Sequence, residues 1–597
     1  MRKSFLNIRP PAANACSASL SLPPALPMTR RRFVEGMALG SVLLATGFPR
    51  LSFAEAVSGA VTVVPELKGP LLDLVIGEQR VNVTGRERTA ITVNGSLPAP
   101  VLRFREGDTL RLRVRNTLQE DTSIHWHGFI LPANMDGVPG LSFHGIRPGE
   151  TFQYEFPLRQ SGTYWYHSHS AMQEARGLYG AIIVEPREPE AFHYDREHVL
   201  LLSDWSDTDP HRILAKLKKQ GSYYNYQQRT VADFVRDVKE KGIAATWADR
   251  KMWGEMRMTP TDLADVSAAT YSYLVNGATA ASNWTGLFRA GEKLRLRFIN
   301  AAAMSYFDIR IPGLKMTVVA ADGQPVQPVE VDEFRLAVAE TLDVIVEPRD
   351  SAYTVFAQSM DRTGFARATL ATAAGLSAAV PALDPRPLLS MSDMGMGHDM
   401  AGMEGMEGMD MSSMHDMEMQ SHPASESHNP GVDMQAMMPM ARLDDPGVGL
   451  RDIDRPGNPH KVLTYADLRS SFDDPDGREP SREIELHLTG HMERYVWSFN
   501  GIPFAGAEPL TLKYGERIRL VLVNDTMMEH PVHLHGMWSD LEDEEGNFLV
   551  RKHTISMPPG TKRSYRVTAD ALGRWAYHCH LLMHMDSGMF REVRVEA

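Results

Sequence analysis

The chain has 597 residues, two of them cysteine, with a formal charge of −13 and a hydrophobic fraction of 43%. That length exceeds what one hydrophobic core serves, so roughly three or four domains are expected. The acidic balance excludes a surface of clustered Lys and Arg, and with it nucleic acid as a partner.

At the N-terminus, TRRRFVEGMALGSVLLATGFPRLSFAEA (29–56) sets paired arginines and Phe33 before a short apolar run and a small-residue site, Ala54-Glu55-Ala56. That order marks a twin-arginine export signal, with an amphipathic helix as the competing reading. The apolar run is too short to anchor the chain in a bilayer. Residues 1–56 are therefore assigned to the signal region, with Met28 as an alternative start and the periplasm as destination. Processing removes Cys16 and leaves Cys579 alone. A lone thiol in an exported protein calls for burial or a metal.

From about residue 62 to 187 short β-rich runs alternate with Pro/Gly turns. GDTLRLRVRNT (107–117) opens a rhythm that returns as GEKLRLRFINA (291–301) and GERIRLVLVND (515–525), which predicts three related β-sandwich or barrel domains. The expected boundaries are 57–190, 191–375 and 461–597. Residues 206–262, rich in Lys, Arg and Asp and containing VADFVRDVKEKG (231–242), predict a helical insertion in the second domain. Residues 376–460 are read as a Met/His-rich flexible linker: 391–440 hold fifteen methionines and four histidines, and no aromatic residue occurs between Phe365 and Tyr465. Such a composition buries too little surface to offset its chain entropy.

Four His-x-His pairs occur: His125/His127, His167/His169, His533/His535 and His578/His580. Alternation along a strand puts both imidazoles of a pair on one face, so eight histidines are expected at one site. Cys579, between His578 and His580, turns to the opposite face. His530, at an odd offset from His533, shares that face, and His584 and Met589 return to it through a turn. Two imidazoles, a thiolate and a thioether form the ligand set of a blue-copper centre. The bland alternatives are chance pairs and a buried hydrophobic cysteine. A closed structural zinc site has no use for this histidine excess, and a copper nitrite reductase has no use for the four pairs.

At these motifs, HWHG, HSH, HPVHLHG and HCHLLMHMDSGM, the sequence resembles the three-domain multicopper oxidases, and its Met-rich segment and stretches such as MRMTPTDLADV (256–266) are similar to the bacterial copper-resistance branch. The resemblance implies an all-β protein of three cupredoxin-like Greek-key domains holding four copper ions. These are one type 1 (His530, Cys579, His584, Met589), one type 2 (His125, His533) and two type 3 (His127, His167, His169, His535, His578, His580). It also implies reduction of O2 to water, with Asp136 assisting proton delivery; the competing reading makes Asp136 a turn residue of MDGVPG. Some relatives carry a glutamate after the last type 1 histidine, where this chain has Met585.

Thioethers are soft ligands that select Cu(I). Met527, Met528, Glu529 and Met585, flanking type 1 ligands, are the candidate substrate site, with gap-filling core methionines as the alternative. Met252, Met256 and Met258 are read as apolar face residues ahead of a further Cu(I) site. The expected function is oxidation of Cu(I) with O2 for copper tolerance. A laccase-like phenol oxidase and a copper-sequestering protein are the alternatives, and a monomer without a membrane anchor is expected.

Overall fold

The computed structural model describes residues 63–396, 420–451 and 460–597. The expected export signal, and residues 397–419 and 452–459 of the segment read as a linker, lie outside the described residues.

The three copies of the sequence rhythm become equivalent strands. Thr109–Asn116 lies parallel to Leu71–Asn82 and antiparallel to Thr151–Pro157. Leu294–Asn300 lies between Arg196–Ser206 and Thr341–Val346 in the same senses. Arg517–Asn524 does so between Arg482–His491 and Lys562–Thr568. Each copy belongs to a separate pair of sheets, of four and five, seven and five, and six and five strands.

In the first copy, apolar and polar residues alternate between core and solvent, burying Leu110, Leu112 and Val114. In the second, the outward residues are buried as well. There Arg295 and Arg297 reach Asp343, and Arg297 also meets Thr163 of the first sheet pair at 2.8 Å and Glu197 at 2.8 Å. Buried guanidinium groups are tolerated because carboxylates meet them.

The asparagine that closes each copy acts the same way three times. Asn116, Asn300 and Asn524 are fully buried. Each carboxamide oxygen accepts the backbone N–H two residues on, from Leu118, Ala302 and Thr526. Each amide donates to carbonyls on separate segments: Glu120 and Ile146, Ser305 and Leu336, Met528 and Met557. The chain thus turns out of the strand without orphaning buried backbone groups.

Helices Pro210–Leu217, Val231–Lys241 and Ile243–Glu255 fill the insertion. Asp209 caps the first, and Thr230 with Asp233 forms a reciprocal capping box on the second. Met258 is buried in the core, and Met256 packs against it.

The expectation of a free tether over 376–460 needs correction for its described parts. Met394 and Ala436 are fully buried, Met434 nearly so. The Met438 N–H donates to Gly395 O at 2.9 Å, closing the segment into a loop. Asp433 and Ala436 donate backbone N–H groups to Gly490 O and Asp525 Oδ1. The composition is too poor to build a core, yet these residues dock on one that the third sheet pair has already made.

Candidate metal centres

Strand register assembles the histidines. His125–His127 runs antiparallel to Gly162–His167, with His125 opposite His167. His530–Leu534 runs antiparallel to Gly573–Cys579, with His533 opposite His578 and Val532 opposite Cys579. Pleating therefore sends His533 and His578 to one side and His530 and Cys579 to the other.

On the first side, the ring nitrogens of His169, His535 and His578 lie within 4.8 Å of one another, as do those of His125, His127 and His167, and of His125, His533 and His535. Nε2 of His580 comes within 3.3 Å of Nε2 of His167, and Nε2 of His535 within 3.1 Å of Nε2 of His578. Seven of the eight rings are buried and His169 is half-buried. Burial, with neighbouring rings adding to it, holds His127, His167, His169, His533, His535 and His580 well below the ordinary imidazole range, and burial pushes His578 down to about 4. Neutral imidazole is the ligating form.

On the second side, Nδ1 of His530 and Nδ1 of His584 stand 3.1 Å apart, and Sγ of Cys579 lies 3.4 Å from the first and 3.8 Å from the second. His584 rides on the short helix Leu582–Asp586 beneath the stacked ring of Trp497. The fully buried Met589 is tied to the set by backbone bonds, its N–H donating to His584 O and its carbonyl accepting from Cys579 N–H. Burial pushes the Cys579 thiol far up, so a proton leaves it only in exchange for a cation.

Both donor sets fit copper. Nε2 of His125, His169 and His533 and Nδ1 of His127 and His580 are buried without a hydrogen-bond partner. Nitrogens facing nitrogens at about 3 Å satisfy a shared metal ion better than one another.

Outer partners orient the rings. Asp136, 1% exposed, sets Oδ2 2.8 Å from Nδ1 of His535 and Oδ1 3.3 Å from Nδ1 of His125, whose Nδ1 also meets the Asp136 carbonyl at 2.8 Å. The residue also closes the turn Ala133–Met135. Thr526 Oγ1 meets His530 Nε2 at 2.7 Å.

Three residues escaped the sequence reading. Glu174 puts Oε2 2.7 Å from Nδ1 of His167, and burial raises its carboxyl well above the usual range. His553 brings Nδ1 within 3.2 Å of His127 Nε2. Asp265 places Oδ2 2.7 Å from Nε2 of His584. Of these, only Asp265 sits in a stretch that had stood out, MRMTPTDLADV.

The proposed substrate residues divide. Met528 and Glu529 line a narrow cavity with Asp265, Met304, Met360 and Asp361. Met527 instead lines the adjoining cavity with Met360, Leu389, Asp393 and Arg451. Glu529 is ion-paired to Arg335 at 2.8 Å. Met585 borders neither cavity and packs against Val138, Ala576 and Phe590, which corrects its place in the expected set.

Paired sheets repeated three times, with one eight-histidine site and one His/Cys/His site, define a copper oxidase of cupredoxin type. The multicopper oxidase family model matches residues 75–189, 196–377 and 477–597, and the chain belongs to the multicopper oxidase family. It is 64% identical to copper resistance protein A of Escherichia coli, over 96% of this chain and 100% of that protein. It is also 64% identical to copper resistance protein A of Pseudomonas syringae pv. tomato, over 95% and 99%. Among solved structures it shares the fold of Fet3p, a multicopper oxidase of iron import, with TM-score 0.62 and 19% identity over 89% of this chain and 91% of that one. A metallo-oxidase of Campylobacter jejuni gives TM-score 0.55 and 20% identity over 90% and 95%. Among the described residues no helix is long and apolar enough to cross a membrane.

Proposed function

We propose that this multicopper oxidase oxidises Cu(I) to Cu(II) in the periplasm, for copper tolerance, and that it holds four copper ions. His530, Cys579, His584 and Met589 hold type 1; His125 and His533 hold type 2; His127, His167 and His580, with His169, His535 and His578, hold the type 3 pair. Bound copper supplies one-electron chemistry, four Cu(I) being oxidised for each O2 that takes four protons and becomes two waters. The cavity beside His584 carries the choice of substrate: Met304, Met360 and Met528 face Asp265, Asp361 and Glu529 there, and thioethers with carboxylates suit a cuprous ion that leaves as cupric. Asp265 Oδ1 is buried without a partner beside His584. The cavity admits a water-sized sphere and no aromatic ring, which speaks against phenols. Leu389, Asp393, Arg442 and Arg451, from both ends of the Met-rich segment, line the adjoining cavity, a placement suited to delivery.

Asp136 orients His535 and His125 through their Nδ1 atoms. Glu174, whose carboxyl burial raises well above the usual range, faces Nδ1 of His167 and is the candidate for the proton route that a glutamate at Met585 would otherwise offer.

Anaerobic Cu(I) should bleach the blue absorption of the copper-loaded protein, and O2 should restore it with one O2 consumed per four Cu(I) and no peroxide. A blue band that never responds to Cu(I) would refute the reading. Met528→Ala should raise KM for Cu(I) about 10-fold, and Met585→Ala should leave it unchanged. Equal effects of the two would remove the cavity from the argument.

A further inference from the structure

A second group of ligating side chains lies outside both copper sites, where the Met-rich loop rejoins the third sheet pair. His487 stands on Arg482–His491, and Asp525 follows Arg517–Asn524. His422 and Glu426 come from the returning loop, four residues apart. Nδ1 of His422 lies 3.3 Å from Asp525 Oδ2 and 3.3 Å from Glu426 Oε2. Nδ1 of His487 lies 2.6 Å from Asp525 Oδ2 and 3.8 Å from Glu426 Oε1.

These separations bracket the donor–donor edge of a tetrahedral centre, about 3.4 Å for bonds of about 2.1 Å. Glu426 is 3% exposed, yet its Oε1 has no hydrogen-bond partner, and neither has Nδ1 of His422, despite two carboxylates at 3.3 Å. His487 Nδ1 is hydrogen-bonded to Asp525 Oδ2, whereas His422 Nδ1 and Glu426 Oε1 approach their neighbours without donor–acceptor alignment and point at a common centre. The other oxygens are used: Gln435 Nε2 donates to Glu426 Oε2 and the Ala436 N–H to Asp525 Oδ1. As ligands, two carboxylates and two imidazoles carry a charge of −2, which one divalent cation cancels in place of the protons that the carboxylates otherwise favour on both rings.

We propose that His422, Glu426, His487 and Asp525 form a mononuclear site for a borderline divalent cation, separate from the redox coppers, that clips the end of the Met-rich loop to the third domain. Without a thioether the set favours divalent ions over Cu(I), and among divalent ions the Irving–Williams order favours Cu(II) over Zn(II). The site stands whichever ion the oxidase uses as substrate. Asp525 adjoins Thr526, whose hydroxyl holds His530, so the ion would also brace the loop that presents a type 1 ligand.

The test is Zn(II) titration of protein loaded with four coppers per chain and freed of any further Cu(II), by calorimetry and by metal analysis after dialysis, with Cu(II) then added and its paramagnetic resonance recorded. Wild type should take one Zn(II) that Cu(II) displaces, with a new nitrogen/oxygen-ligated cupric signal. His422→Ala and Glu426→Gln should each weaken that binding by about 10-fold or more while the blue band stays at wild-type intensity. His422 sits on the loop, so its variant reports even where Glu426→Gln does not fold. Equal uptake by wild type and His422→Ala, or no displaceable Zn(II) in wild type, would overturn the proposal and leave an ion-pair network held by protons.

Discussion

Cys579→Ser is expected to abolish the blue absorption and Cu(I) oxidation together, while the eight-histidine site keeps its copper. The thiol is fully buried, 3.4 Å and 3.8 Å from the ring nitrogens of His530 and His584. A serine hydroxyl in its place gives neither the charge-transfer colour of a thiolate nor the soft donor that suits copper in both oxidation states. Its flanking histidines keep their register, because Gly573–Cys579 is paired on both sides by His530–Leu534 and Phe590–Glu596. Metal analysis should therefore show one copper fewer per chain, and paramagnetic resonance should retain the type 2 signal. Loss of both centres at once would mean that the thiolate holds the strand as well as the ion.

The copper-free protein should lose stability steeply as pH falls from about 6.5 towards 4. Burial, the largest influence, pushes His578 and His553 down to about 4, and most of the other ligating rings lie low for the same reason. In that window the unfolded chain binds protons and the folded chain does not, so each such histidine costs the fold roughly 3 kcal/mol by the time pH reaches 4. Above pH 6.5 the penalty vanishes. Copper should flatten the profile, since a ligated nitrogen takes no proton until the ion leaves. Denaturant unfolding at pH 7 and pH 4.5, with and without copper, measures both slopes. A flat copper-free profile would show that the rings take up protons without unfolding.

The parity argument reached the sites from sequence because it depends only on the pleat. A residue's face is fixed by odd or even offset, so His533 with His578, and His530 with Cys579, could be sorted before any contact was known. The turn that returns His584 and Met589 was legible for a similar reason, since five and ten residues span a short helix and a strand start. Asp265 and His553 were not legible, because nothing local marks a residue whose partner is hundreds of positions away: Asp265 and His584 are 319 residues apart and His553 and His127 426, while Glu174, close in sequence to its partner His167, follows the strand in a turn whose direction no periodicity gives. Met585 failed for the opposite reason. Sequence adjacency to a ligand says nothing of direction on a helix, where each residue advances about 100°. For the Met-rich segment, composition answered whether it could fold alone and was silent on whether it could dock.

Asn524 has a bearing on electron transfer. Its amide spans the carbonyls of Met528 and Met557, fastening the loop before His530 to the strand Thr554–Met557 that pairs with it. The same fastening recurs at Asn116 and Asn300 in sheet pairs without such a ligand set, so this part of the loop's shape belongs to the domain and owes nothing to the metal. An ion whose charge changes by one unit, inside ligands already held in place, need not wait for them to rearrange. With copper on the proposed ligand set, the scaffold would thereby lower the reorganisation energy of each electron's passage.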